Sequence, residues 1–156
     1  MENIRDFLAL LEERGDLATI DAEVSSELEI TEITERTIRS KGPALLFKNV
    51  SGSNMPVVIN LFGSHQRMAW ALGVDDVQEI ADRVTKILKI PQNPPGGIID
   101  KINTLGDLAG IAKSQPKLVK SAPCQEVIMI GEDANLNELP ILKCWPQDAG
   151  KFITLH

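Results

Sequence analysis

Ile4, Phe7, Leu8 and Leu11 recur at the i, i+3, i+4, i+7 spacing of one helical face, which predicts an amphipathic helix over residues 3–14. Gly15 stands where such a helix ends. Residues 17–24 then alternate, with Ala18, Ile20, Ala22 and Val24 on one side and Thr19, Asp21 and Glu23 on the other, the period of a half-buried strand. Ser26 and Glu29 have capping-box spacing and open a second helix that runs to Arg39, with Ile30, Ile33 and Ile38 inward. Gly42-Pro43 ends it. Residues 44–50 and 56–61 are short apolar runs joined by the turn-rich Ser51-Gly52-Ser53-Asn54, and they read as neighbouring strands of one sheet.

Gly63-Ser64 begins a third helix carrying Met68, Ala71 and Leu72, closed by Gly73. Asp75 or Asp76 caps a fourth, with Val77, Ile80, Ala81, Val84 and Leu88 on its buried side. Pro91-Gln92-Asn93-Pro94-Pro95-Gly96-Gly97 cannot continue a helix, because proline lacks the amide and clashes with the preceding turn; it reads as a linker. A short helix over 105–113 capped by Thr104, a strand over 124–130 and the start of another over 152–155 complete the pattern. Strands and helices do not alternate regularly, so the expected class is α+β, a small mixed sheet with flanking helices.

With 156 residues, the chain is long enough for one core and the beginning of a second. Apolar residues make up 43% and charged residues 24%, the balance of a globular protein and too apolar for disorder. A net charge of −6 leaves no surplus of Lys and Arg to neutralise phosphates, so no nucleic-acid partner is expected. No stretch reaches the about 18–20 apolar residues that span a bilayer. Cys124 and Cys144 show no paired spacing and read as reduced thiols of a cytoplasmic protein.

Candidate chemistry is sparse. A phosphate loop needs several glycines for close backbone approach, and Gly63-Ser64 offers only one; a plain helix cap is the better reading, and Gly96-Gly97 lacks a preceding strand. His65, in a polar run with Gln66 and Arg67, reads as a surface helix residue. His65, His156, Cys124 and Cys144 have no metal-ligand register. Glu12, Glu13, Glu27, Glu29, Glu32 and Glu35 fall on solvated helix faces. Trp145, between Cys144 and Pro146, reads as a core or interface anchor, or alternatively as the wall of a ligand cavity.

The stretch Leu139-Pro140-Ile141-Leu142-Lys143-Cys144-Trp145-Pro146-Gln147-Asp148-Ala149, followed by Ile153-Thr154, resembles the UbiD family of decarboxylases. Ile4-Arg5-Asp6-Phe7-Leu8, Leu28-Glu29-Ile30-Thr31-Glu32-Ile33, Gly42-Pro43-Ala44-Leu45-Leu46-Phe47 and Asn60-Leu61-Phe62-Gly63 are similar to its amino-terminal region. The resemblance implies an amino-terminal α/β domain over 1–110. It also implies a connector over 111–156 with the first strands of a split β-barrel that binds flavin. Family enzymes decarboxylate aromatic or α,β-unsaturated acids with prenylated FMN, Mn2+ and K+. The nearest branch by resemblance acts on 3-polyprenyl-4-hydroxybenzoate in ubiquinone biosynthesis.

Family members run to roughly three times this length on the usual domain scale. The metal-binding Asn-x-Gly-Ile-Tyr-Arg and acidic Glu-x-Pro-Glu-Gly-Pro motifs are absent from these residues. No catalytic or metal residue is therefore carried over. Thr154 alone has a counterpart expected at the flavin edge, while Leu155-His156 departs from the pattern, which has Gly there. The expectation is an amino-terminal part of a decarboxylase, inactive alone and binding no cofactor tightly. Its parent would take an aromatic acid, form a homo-oligomer and lie in the cytoplasm, against the membrane where the substrate is polyprenylated. The alternative is a non-enzymatic interaction module that keeps the same domain.

Overall fold

The computed structural model describes residues 3–89, 116 and 118–154, which divide into two compact units, Met1–Val77 with Ala134–His156, and Gln78–Asp133. In the first unit, helix α1 is Ile4–Glu13. Its Asn3 cap accepts from the amides of Arg5 and Asp6, satisfying donors that no helical carbonyl can reach. Phe7 and Leu11, one turn apart, are buried; Ile4, expected on the same face, overhangs in the first turn and is exposed.

Strand β1 is Leu17–Ile20, shorter than the expected 17–24. Ala22 is exposed, and Val24, buried in the core, pairs through an isolated parallel bridge to Val50 rather than as part of the strand. Helix α2, Glu29–Arg39, follows and leads into β2, Ala44–Phe47, parallel to β1 with Leu17 opposite Ala44 and Ile20 opposite Phe47. Strand β3, Val57–Ile59, pairs antiparallel with β2, giving the order β1-β2-β3. The small mixed sheet with flanking helices is thus as expected. Central strand β2 is the most buried because both its faces are covered. Leu45 and Phe47 join Val24, Ile30 and Val50 on one side, while Ala44 joins Phe7 and Leu11 on the other. Fully burying a side chain of this size contributes about 1.5–3 kcal/mol, so these few residues dominate the stability of the unit.

The start of α2 departs from expectation. The residue serving the turn is Ser25, not Ser26: the Glu27 amide donates to Ser25 Oγ at 3.0 Å, and the Ser25 amide donates to Glu29 Oε2 at 2.7 Å. Ile30 is buried, Ile33 packs against the core and Ile38 is exposed. Helix α3, His65–Leu72, begins at Ser64, whose hydroxyl accepts from the Arg67 amide, and ends at Gly73 in the left-handed region at φ +67°.

In the second unit, α4 is Gln78–Lys89. None of its side chains is buried; Ala81, Val84 and Leu88, expected inward, are exposed. The expected strand over 124–130 does not form: Pro123–Gln125 is a 3-10 turn, and Val127, Ile128, Met129 and Ile130 are exposed. A strand needs a paired neighbour to satisfy its backbone, and among the described residues none lies beside this one. Residues 152–154 likewise form no strand. The expected linker at 91–97 and helix at 105–113 lie outside the described residues. No described helix is long and apolar enough to cross a membrane.

Candidate functional site

The motif-bearing stretch of the sequence docks on the first unit. Leu139, Pro140, Ile141, Leu142, Lys143 and Cys144 are half-buried, and Leu142 packs against the cluster containing Ile30 and Phe47. Backbone bonds fix its register. The Lys143 amide donates to Ser26 O at 3.1 Å and the Leu28 amide to Lys143 O at 2.9 Å, a parallel bridge that sets Glu27 beside Lys143. Leu28 takes φ +67° to make this pairing. Lys143 Nζ lies 3.4 Å from Glu27 Oε1, a half-solvated pair of small energetic weight.

Past Cys144 the chain reverses. Asp148 Oδ2 accepts from the amides of Cys144 (3.2 Å) and Trp145 (2.9 Å), and the Asp148 amide donates back to Trp145 O at 3.1 Å. Aspartate suits this turn because its short carboxylate reaches neighbouring backbone donors. Trp145 is 52% exposed and so is no core anchor of this unit, where Leu142 packs instead. Further on, Lys151 Nζ donates to Ser26 Oγ at 2.8 Å, and Ser26 is only 5% exposed. Thr154 is exposed, three residues beyond Lys151, with Phe152 and Ile153 exposed between them.

A buried polar cluster gathers around Arg67, which the sequence places in a polar run with His65 and Gln66. Arg67 is 2% exposed. Its guanidinium donates to Asp16 Oδ1 at 2.9 Å and to Gly42 O at 3.3 Å, while its Nε has no partner. Asn60, at φ +61°, donates from Nδ2 to Pro43 O at 2.8 Å. A Cβ at Gly63 would stand 1.8 Å from Asn60 Oδ1 and 2.9 Å from the Arg67 guanidinium, so only glycine fits there. This cluster ties the starts of β1, β2 and α3 together. The available signal was positional: Arg67 falls one turn before Ala71, on the helix face that turns inward.

The other candidates stay apart. His65 is exposed, and Cys124 and Cys144 are free thiols. Glu32 and Glu35 pair with Arg36 and Arg39 one turn on, as solvated helix faces do. A recess of about 310 Å³ is lined by Glu23, residues 49–55 and Glu138, with Ser51 Oγ bonded to Glu23 and Ser53 Oγ to Glu138 O. Among the described residues, no three His, Cys, Asp or Glu side chains converge on a point that could hold a metal.

Residues 8–84 match the UbiD amino-terminal domain, described as the 3-octaprenyl-4-hydroxybenzoate carboxy-lyase N-terminal domain. Residues 117–156 match the Rift-related domain of the same carboxy-lyase. Among solved structures, the UbiD-class enzyme HmfF from Pelotomaculum thermopropionicum in complex with FMN is 27% identical, with a TM-score of 0.68 over 97% of this chain and 29% of that one. An evolved dimeric form of HmfF in complex with prFMN gives 27% identity and a TM-score of 0.70 over 99% and 31%. The vanillic acid decarboxylase of Sedimentibacter hydroxybenzoicus in closed form gives 28% identity and a TM-score of 0.67 over 97% and 29%. The chain therefore spans about 30% of the length of the solved enzymes it matches.

Proposed function

Because the chain belongs to the UbiD family, we propose that it provides the amino-terminal domain and the opening of the flavin-binding barrel in a prenylated-FMN-dependent carboxy-lyase. The carrying observation is the order of the two family matches, together with likeness over 97–99% of this chain to enzymes solved with FMN or prFMN. On this reading residues 1–110 are the amino-terminal α/β domain, and 111–156 are the connector with the first strands of a split β-barrel. Those strands would form once they meet partners to pair with.

Thr154 is the position proposed at the flavin edge. Thr154 is exposed, and its hydroxyl can donate to, or accept from, a polar atom of the ring. The flavin, when bound, would supply the electron sink for the negative charge left as a carboxylate departs. The chain's own contribution is placement: Leu142 fixes the segment in the core, Asp148 closes its turn, and Lys143 and Lys151 are held by Glu27 and Ser26. Trp145, Phe152 and Ile153 present apolar surface along the same stretch, which suits the wall of a cavity for an aromatic acid. Among the described residues no three His, Cys, Asp or Glu side chains converge as a ligand set for Mn2+, and no step is drawn through a metal.

Both family descriptions support 3-polyprenyl-4-hydroxybenzoate as the substrate, and with it a role in ubiquinone biosynthesis. On this reading the parent works at a membrane surface from the cytoplasmic side, where a polyprenylated acid is reached, and the dimeric HmfF form supports a homo-oligomer. The test fuses this chain to the remaining part of the vanillic acid decarboxylase and offers prenylated FMN, Mn2+ and K+. CO2 release from vanillate is expected, because the added part supplies the acidic and metal-binding motifs, and none from the 156-residue chain alone. A folded, flavin-binding fusion that releases CO2 from neither the polyprenylated acid nor vanillate would overturn the reading. Cofactor-dependent turnover by the chain alone would show that its catalytic groups lie within these residues.

A further inference from the structure

Ser26 holds the docked segment at two points. Its carbonyl takes the Lys143 amide at 3.1 Å and its hydroxyl takes Lys151 Nζ at 2.8 Å, while the start of α2 is served by Ser25. The loop between those two lysines is closed on itself by Asp148. Ser26 is in turn fixed by its own burial and by the bridge of its neighbour Glu27 to Lys143. An ammonium–hydroxyl bond is charge-assisted and directional. Beyond Lys151 only three residues lead to Thr154, a reach of about 10 Å at full extension. Whatever fixes Lys151 therefore confines Thr154.

We propose that Ser26 is a positioning residue for Thr154, acting through Lys151; the proposal rests on the reading of Thr154 as a flavin-edge residue. Its hydroxyl restrains the backbone leading from Lys151 to Thr154, so that the Thr154 side chain meets a flavin already ordered and loses less freedom on contact.

The full 156-residue chain is compared with Ser26→Ala, Lys151→Met and the double variant by ¹⁵N relaxation, without flavin. Order parameters at residues 152–154 are expected to fall from about 0.85 towards 0.6 or below in each single variant. The double variant should fall no further, since both changes remove one contact. Ser26→Thr, which keeps the hydroxyl, should restore the order. Should Ser26→Ala fail to fold, Lys151→Met decides alone, since its side chain lies at the surface end of the contact. Unchanged order in the folded variants overturns the proposal.

FMN is then titrated as the probe into the fusion described above, whose barrel is complete, while the Thr154 amide shift is followed. In the unvaried fusion, the parent of this comparison, the shift should respond, and with Ser26→Ala or Lys151→Met the apparent Kd should rise by about threefold to tenfold, the loss of one hydrogen bond's ordering. No response in the parent removes the flavin reading of Thr154 and, with it, the purpose assigned to Ser26. An equal response in parent and variants removes the positioning role alone.

Discussion

Helices α2 and α4 carry sequences of the same kind, with apolar residues on one stripe and charges opposite, yet they end in different environments. α2 presses Ile30 and Thr34 into the sheet, whereas α4 buries no side chain among the described residues and leaves Val84 and Leu88 exposed. An amphipathic stripe states which face prefers to leave water. Whether another element arrives to cover it depends on chain segments far away. For α2 the cover comes from β2 and from Leu142, more than a hundred residues on.

That contrast gives unequal costs for like substitutions. Phe47→Ala and Ile30→Ala should lose about 3–5 kcal/mol in urea unfolding, the cost of a cavity at a fully buried site, while Leu88→Ala should cost under about 0.5 kcal/mol. Equal losses at Ile30 and Leu88 would mean that the face of α4 is covered and the contrast false.

Next in size is the polar cluster. Arg67→Met should destabilise by about 3 kcal/mol, at the low end for a broken buried ion pair, because Asp16 is part-exposed and recovers some hydration. A loss below about 1 kcal/mol in the same assay would show that the unpartnered Nε already cancels the gain from Asp16 and Gly42.

The docked segment sharpens the comparison at single-residue scale. Leu142→Ala should cost about 2 kcal/mol and Trp145→Ala less than about 1 kcal/mol, since the first packs on the core and the second is half in water. The reverse order would return the anchor to Trp145. A modest effect is expected at a helix end: Ser64→Ala should lose about 1 kcal/mol through the Arg67 amide it leaves without its cap, measurable as a lowered thermal midpoint.

Much of the first unit could be read from residue spacing. The i, i+3, i+4 repeats located α1, α2 and α3 to within a few residues, and the turn-rich 51–54 correctly separated β2 from β3. These elements are set by neighbours in sequence, so a local pattern contains their cause. The family resemblance, drawn from the Cys144-Trp145-Pro146 and Asn60-Leu61-Phe62-Gly63 stretches, likewise needed no coordinates, and the family matches agree with it.

Tertiary structure decided the rest. Spacing could not distinguish Ser25 from Ser26 as the residue serving α2, because the choice depends on Lys143 and Lys151 arriving to occupy Ser26. Nor could it bury Arg67, a charge admitted to the interior only because Asp16 and the Gly42 carbonyl converge on it from other elements. Apolar runs at 124–130 and 152–154 had the composition of strands and formed none, since a strand exists only where a second one supplies its hydrogen bonds. Sequence fixes what each segment requires locally; the path of the whole chain determines which of those requirements are met.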